Sequence, residues 1–211
     1  MQFKFTEEQE MISASAKGAI DRAMSATPVH DLLETGLNDD AWATLGAELG
    51  LAGLAIPEEF GGAGLGQVEL AMVQERVGHE LLPVPFFASA GLATQAILQC
   101  ASNTQKKIWL PALAEGKLFA TWAHDGGDRS TSPALSKDNK LSGAASQVLY
   151  GHAADLILVS CVDASGARHI VSVQSSMDGV SVTPRTGLDL TQPVADIAFD
   201  GVAIKPEQIL P

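Results

Sequence analysis

The stretch Gln105-Lys-Lys-Ile-Trp-Leu-Pro-Ala-Leu-Ala-Glu-Gly116-Lys-Leu-Phe-Ala-Thr-Trp-Ala123 contains a change from helical to strand-like sequence. Ser102 and Gln105 form a capping-box pattern, which predicts a short helix that begins at this point. Gly116 is typical of the residue that ends a helix, and the run that follows it is typical of a β-strand. The change predicts an α-helical domain over residues 1–116 and a β domain over residues 117–211.

The sequence before Gly116 predicts helices joined by loops. Thr6-Glu-Glu-Gln9 is a second capping box, and acidic residues in the first turn favour the positive end of the helix dipole. Asn38 is a capping residue ahead of a segment in which Trp42, Leu45 and Leu49 share one helix face. Two further helices are predicted over 67–81 and 86–101.

The sequence after Gly116 predicts short strands without intervening helices. Turn-forming residues separate eight such runs. They are 118–123, 134–136, 140–142, 147–150, 156–161, 169–173, 180–183 and 195–199. This pattern indicates an antiparallel barrel or sandwich rather than a doubly wound sheet, so the predicted fold class is an α+β multidomain protein.

Charge and hydropathy exclude some classes of partner. The chain has 211 residues and a net charge of −12, which repels nucleic acid and anionic membranes. Residues 81–105 carry no charge, but Pro83 and Pro85 interrupt the start and several side chains are polar. We therefore expect a buried helix here and no membrane span. The mean hydropathy of +0.14 suggests that another domain or chain covers some apolar surface.

The two cysteines, Cys100 and Cys161, form neither a disulfide framework nor a C-x-x-C motif. The N-terminus lacks the apolar run and cleavage site of a signal peptide. Reduced thiols and a cytoplasmic location are the expectation.

No motif in the sequence is by itself diagnostic of a reaction. The glycines of Gly61-Gly-Ala-Gly64-Leu-Gly66 lack the Lys-Ser/Thr of a P-loop, which favours a tight loop between helices. The five histidines lack metal-ligand spacing, and Glu58-Glu59 is typical of a solvated turn. His124 remains a candidate, because a strand there runs into a Gly-rich turn whose backbone N–H groups can bind an anion. No catalytic residue and no metal site are predicted.

The order of motifs nevertheless resembles the acyl-CoA dehydrogenase family along nearly the whole chain. The similar segments are Phe5-Thr-Glu-Glu-Gln-Glu-Met11, Trp42-x-x-Leu45-Gly46, Gly50-Leu-Ala-Gly-Leu-Ala-Ile-Pro-Glu-Glu-Phe-Gly-Gly-Ala-Gly64, Glu75-Arg-Val-Gly78, the stretch from Gln105 to Gly116, the run from Leu141 to Val159, and Asp189-Leu-Thr-Gln-Pro-Val-Ala-Asp-Ile-Ala-Phe-Asp-Gly-Val202.

This resemblance implies a helical domain, a β-barrel domain, and a C-terminal helical domain that has no counterpart in this sequence. It implies FAD as cofactor and an acyl-CoA as substrate, with the catalytic glutamate in the C-terminal domain. The resemblance assigns flavin contact to Trp122, Ala123, His124, Ser130, Gln147 and Leu149.

The flavin motif departs from the family pattern at three positions. His124 occupies a position where the family usually has a hydroxyl residue. Gln147 and Leu149 occupy positions where it tends to have a stacking aromatic and a hydroxyl residue. A stacked aromatic contributes roughly 0.5–1.5 kcal/mol beyond its buried area, so we expect FAD binding to be weak or absent in this chain alone.

Three functions are compatible with this pattern. The first is an acyl-CoA dehydrogenase chain without its C-terminal domain. The second is a non-catalytic partner subunit in a homo- or hetero-oligomer of such chains. The third is a flavin-dependent monooxygenase of the same fold.

Overall fold

The computed structural model describes residues 4–33, 36–124 and 132–211. The N-terminal region is helical. Its α-helices are α1 (Glu7–Ala26), α2 (Val29–Leu32), α3 (Asp39–Ala43), α4 (Gln67–His79), α5 (Thr94–Cys100) and α6 (Asn103–Ala114). The segments Thr44–Glu48 and Phe87–Ala93 are π-helical, and short 3-10 turns occupy Leu51–Gly53 and Glu58–Phe60.

The predicted helix starts are confirmed by their hydrogen bonds. The Thr6 hydroxyl accepts from the Gln9 N–H, and the Gln9 carboxamide accepts from the Thr6 N–H. Ser102 and Gln105 make the same reciprocal pair at the start of α6. The Asn38 side chain accepts from the Ala41 N–H at 2.9 Å. Each pair satisfies N–H groups that a helix start leaves without an internal partner.

In the part of the chain that the structure describes, the β region is one sheet of eight strands, most of them antiparallel. The strands are β1 (Ala120–Ala123), β2 (Ala134–Leu135), β3 (Lys140–Leu149), β4 (Leu156–Asp163), β5 (Arg168–Gln174), β6 (Val180–Arg185), β7 (Val194–Ala203) and β8 (Ile209–Leu210). The hydrogen-bonded order is β6-β7-β3-β2-β4-β5-β8, and both β1 and β2 pair with β4 in parallel. The predicted fold class, helices followed by an antiparallel β region, is confirmed.

The strands differ from the sequence prediction in two details. The runs 140–142 and 147–150 belong to one strand, because β-bulges near Gly143 and Gln147 absorb residues that resemble turns in the sequence. The end of the chain contains an additional strand, β8, which pairs with β5 and follows a 3-10 turn at Pro206–Gln208.

Alternation along β4 separates two apolar clusters. Ile157 and Val159 belong to the larger cluster, which also includes side chains of α1 and α4. Leu156 and Leu158 point to the opposite face and pack with α5 and α6. The larger cluster contains residues from both the helical and the β region, and the division at residues 116 and 117 stays a prediction.

The uncharged segment 81–105 contains a buried helix, as the sequence predicts. Ala88, Ser89, Ala90, Ala93 and Ile97 are all almost fully buried. Among the described residues, no helix is long and apolar enough to cross a membrane.

Candidate functional site

Strands β1 and β3 bring four of the predicted flavin-contact residues to one place. Trp122, His124, Gln147 and Leu149 line the same small notch, of about 30 Å³, together with Leu92. A hydrogen bond of 2.6 Å from the Thr121 hydroxyl to the Leu149 carbonyl joins the two strands at this point.

The other two predicted contacts are Ala123 and Ser130. Ala123 is fully buried and packs into the larger apolar cluster, and it does not line the notch. Ser130 lies outside the described residues.

The Trp122 indole is fixed by a residue that sequence reasoning missed. Its N–H donates to the Ser160 hydroxyl oxygen at 2.9 Å. Trp122 lies on β1 directly beside Leu158 of β4, and Ser160 follows two residues later on the same face of β4. The only signal in the sequence is a polar residue within the apolar run Leu-Ile-Leu-Val-Ser-Cys-Val.

Gln147 has a left-handed backbone, with φ of 56°, in the β-bulge of β3. Its N–H donates to Asp196 Oδ1 at 3.1 Å, while Asp196 Oδ2 accepts from Arg185 Nε. Partial burial alone would raise the pKa of the Asp196 carboxyl, but its hydrogen bonds and the nearby guanidinium hold that pKa below its ordinary value. The ionised carboxylate therefore stays available to hold the bulge in place.

Ser160 also lines a larger cavity, of about 600 Å³. Its lining is mainly apolar, and Arg168 and His169 provide the cationic and titratable groups. Lining side chains include Cys100, Pro133, Val162, Ile170 and Leu210. An apolar cavity with a basic residue in its wall is suited to an amphiphile that carries an anionic group.

Cys161, one of the two cysteines that line this cavity, is not an activated nucleophile. Burial, and then the nearby Asp163 carboxylate, raise the pKa of the Cys161 thiol to about 11. Asp163 itself accepts from Ser165 and contacts His169 Nε2 at 3.0 Å, and these contacts hold the pKa of its carboxyl well below the ordinary value. Within residues 4–33, 36–124 and 132–211, no cluster of side chains could hold a metal ion.

The glycine-rich loop serves packing, as the sequence predicts. A Cβ atom at Gly62 would lie 2.0 Å from the Ile56 carbonyl oxygen. The Ala63 N–H donates to the Gly53 carbonyl at 3.0 Å, and the Gly64 N–H donates to the Ile56 carbonyl at 2.8 Å. These bonds hold the loop tightly against the preceding turn.

Residues 6–117 match the family described as acyl-CoA dehydrogenase, N-terminal domain. The chain belongs to the acyl-CoA dehydrogenase family. It is 32% identical over 176 residues to the acyl-CoA dehydrogenase FadE27 of Mycobacterium tuberculosis, an alignment that covers 79% of this chain and 46% of that protein. The chain therefore spans about half the length of this curated relative.

Two solved structures share the fold of this chain. The ChsE4-ChsE5 complex of Mycobacterium tuberculosis matches with a TM-score of 0.89 and 26% identity, over 100% of this chain and 58% of that chain. An acyl-CoA dehydrogenase of Bacillus anthracis in complex with FAD matches with a TM-score of 0.86 and 23% identity, over 98% of this chain and 38% of that chain. These matches account for both the helical and the β region.

The side chains of the notch could contact one side of a flavin ring but could not enclose it. A volume of about 30 Å³ holds no tricyclic ring, so the ring would lie against the mouth of the notch. Leu92, Leu149 and the Trp122 indole would provide apolar contact, while the exposed Gln147 carboxamide could hydrogen-bond to a polar edge. The opposite face of the ring would need a cover from elsewhere.

Proposed function

We propose that this chain provides the N-terminal and middle domains, divided near residue 116, of a flavin-dependent acyl-CoA dehydrogenase. The observation that carries the proposal is the notch itself, which brings Trp122 and His124 together with Gln147 and Leu149 from a distant part of the chain. Family membership supports the same function.

The reaction is the α,β-dehydrogenation of an acyl-CoA thioester. Bound FAD would supply the acceptor for the hydride that leaves the β-carbon. The α-proton requires a base, and none of the described side chains is assigned to that task. In this proposal the chain binds and orients the flavin and the substrate, and the base comes from a C-terminal helical domain.

The cavity of about 600 Å³ supports an acyl-CoA as the ligand class. Its apolar wall suits a hydrocarbon chain, and the Arg168 guanidinium suits the phosphate groups of coenzyme A. Ser160 links this cavity to the notch, because it lines the cavity and hydrogen-bonds to Trp122. A substrate in the cavity would therefore lie beside the proposed flavin position.

The proposal can be tested by extending the chain at its C-terminal end. The chain would be expressed together with any downstream coding sequence, and its visible spectrum and its oxidation of acyl-CoA thioesters would be recorded. We expect a yellow, active protein from the longer product. A folded longer product without colour or activity would contradict the proposal.

The isolated chain of 211 residues should bind FAD weakly and turn over no substrate. The described residues cover only one side of the ring, and a Gln and a Leu stand where the family tends to have an aromatic and a hydroxyl residue. Titration with FAD, followed by flavin fluorescence, measures this directly. Tight stoichiometric binding would show that the notch needs no further cover.

A second candidate function is a non-catalytic partner subunit. It is favoured by the substituted flavin positions and by exposed apolar side chains, since Ile108 is 64% exposed and Leu188 is fully exposed. A groove of about 630 Å³ beside Ile108 and Trp109 offers a surface for a homologous chain. Co-purification with such a chain, with FAD bound only by the pair, would distinguish this role from the first.

The free thiols of Cys100 and Cys161 support the cytoplasm as the compartment of the protein. A cell fractionation with a labelled chain would test this location.

A further inference from the structure

The Trp122–Ser160 hydrogen bond joins two cavities that share no lining residue among those described. Trp122 lines the notch of about 30 Å³, whereas Ser160 lines the cavity of about 600 Å³. The donor and acceptor are 2.9 Å apart. The bond therefore connects a residue that lines the proposed flavin position with a residue that lines the proposed substrate cavity.

The indole is held at this position by packing on one side and by the serine on its polar edge. Trp122 is half-buried and, like Ile170, packs against the apolar cluster that includes Leu158. A partly buried indole N–H needs an acceptor, because an unsatisfied donor is unfavourable away from water. The Ser160 hydroxyl meets this need, and its own backbone is fixed by pairing with Ile170 on β5.

We propose that Ser160 is a positioning residue, which holds the Trp122 indole as the wall between the flavin notch and the substrate cavity. The inference rests on the proposed function, since it concerns the Trp122 indole ring, against which a flavin would lie. Without the hydroxyl, the indole N–H would turn towards water or towards another acceptor. The ring would then leave the wall, and the flavin would lose a fixed contact surface.

The test uses the full chain labelled with 5-fluorotryptophan, which gives one fluorine signal for each of Trp42, Trp109 and Trp122. The variant Trp122→Phe assigns the signal of residue 122. In Ser160→Ala, the signal of residue 122 should shift, and its fluorinated ring should become more accessible to a soluble quencher. The Trp42 signal should stay, because its N–H donates to the Gly116 carbonyl.

Two further variants separate positioning from a general loss of structure. Ser160→Thr keeps the hydroxyl and should restore the Trp122 signal. Ser13→Ala removes a serine oxygen that accepts from a side-chain N–H, that of Arg76 at 3.1 Å, in the helical region. This control should leave the Trp122 signal unchanged. An unchanged signal in Ser160→Ala, or no recovery in Ser160→Thr, would overturn the inference.

A titration with FAD supplies the functional readout on the same variants. The dissociation constant should rise by up to about tenfold in Ser160→Ala, because flavin binding must then order an indole that the hydrogen bond no longer holds, and it should return in Ser160→Thr. A shifted Trp122 signal with unchanged FAD affinity would also overturn the inference. If the unsubstituted chain binds no FAD at millimolar concentration, the result counts against flavin binding by this chain, and the fluorine signals alone decide the role of Ser160.

Discussion

Gln105 joins the start of α6 to the C-terminal segment, and its replacement gives the sharpest test of the fold. Its carboxamide oxygen accepts from the Ser102 N–H at 2.8 Å, while its NH₂ group donates to the carbonyls of Glu207 and Ile209 at 2.9 and 3.1 Å. The side chain is almost fully buried, so water cannot replace these partners. Gln105→Ala should therefore remove three hydrogen bonds at once.

The magnitude follows from the number of bonds. At about 0.5–1.5 kcal/mol each, the loss in the free energy of unfolding is about 2–4 kcal/mol. For a chain of this size the thermal midpoint should fall by roughly 4–16 °C. Gln105→Glu keeps the capping oxygen but places a carboxylate against two carbonyls. We expect it to be at least as destabilising at neutral pH, with partial recovery when the carboxyl is protonated.

Gln9 provides a matched control. It occupies the same capping-box position at the start of α1, but it lies nearer the surface and its NH₂ group donates to Glu69 at 2.7 Å. Gln9→Ala should lower the free energy of unfolding by only about 1 kcal/mol.

The assay is thermal unfolding followed by circular dichroism, with hydrogen exchange of the peptide that contains residues 204–211. Exchange in this peptide should rise in Gln105→Ala and stay the same in Gln9→Ala. Equal losses in the two alanine variants, or unchanged exchange in the C-terminal peptide, would refute the assigned role of Gln105.

Three further predictions concern backbone strain and a buried imidazole. Gln147→Gly should raise the free energy of unfolding by about 0.5–1 kcal/mol, measured by urea denaturation, because glycine adopts the left-handed φ of 56° without strain; a decrease would argue against strain at this bulge. Gly62→Ala should lower the free energy of unfolding by about 3 kcal/mol or more, since the new Cβ would lie 2.0 Å from the Ile56 oxygen. The control Gly78→Ala, which has open space around the new Cβ, should be neutral or stabilising. Burial lowers the pKa of His152 below its ordinary value of 6.5, so the unfolded chain binds the proton more readily and stability should fall as the pH drops below about 6.5. His152→Gln should reduce the dependence of the thermal midpoint on pH, measured from pH 7.5 to 5. An equal dependence in both proteins would assign the effect to other groups.

The helix starts could be predicted from the sequence because their signals are local. Thr6 with Gln9 and Ser102 with Gln105 are each three residues apart, and the bonds form within that span. The change from helical to strand-like sequence after Gly116 is an equally local signal, since strands and helices differ in the period of their apolar residues. These signals do not depend on the rest of the chain.

The contacts between distant segments could not be predicted in the same way. The capping role of Gln105 is visible in the sequence, but its bonds to Glu207 and Ile209 join residues that lie more than 100 positions apart. The Ser160 contact depends on the parallel pairing of β1 with β4, which no local pattern specifies. The continuity of β3 depends on pairing with β7, which carries the strand through its two bulges.

The notch depends both on residues that the sequence identifies and on contacts between distant segments of the chain. Resemblance to a family indicates which positions would lie near a flavin, but the residues at positions 124, 147 and 149 depart from the family pattern. The backbone of the notch does not depend on the side chain of Gln147, because the Gln147 N–H and the Asp196 carboxylate hold the bulge together with Arg185. The shape of the notch can therefore stay while the side chains that face its mouth change. For this reason the fold supports family membership strongly, whereas affinity for FAD has to be measured on the chain itself.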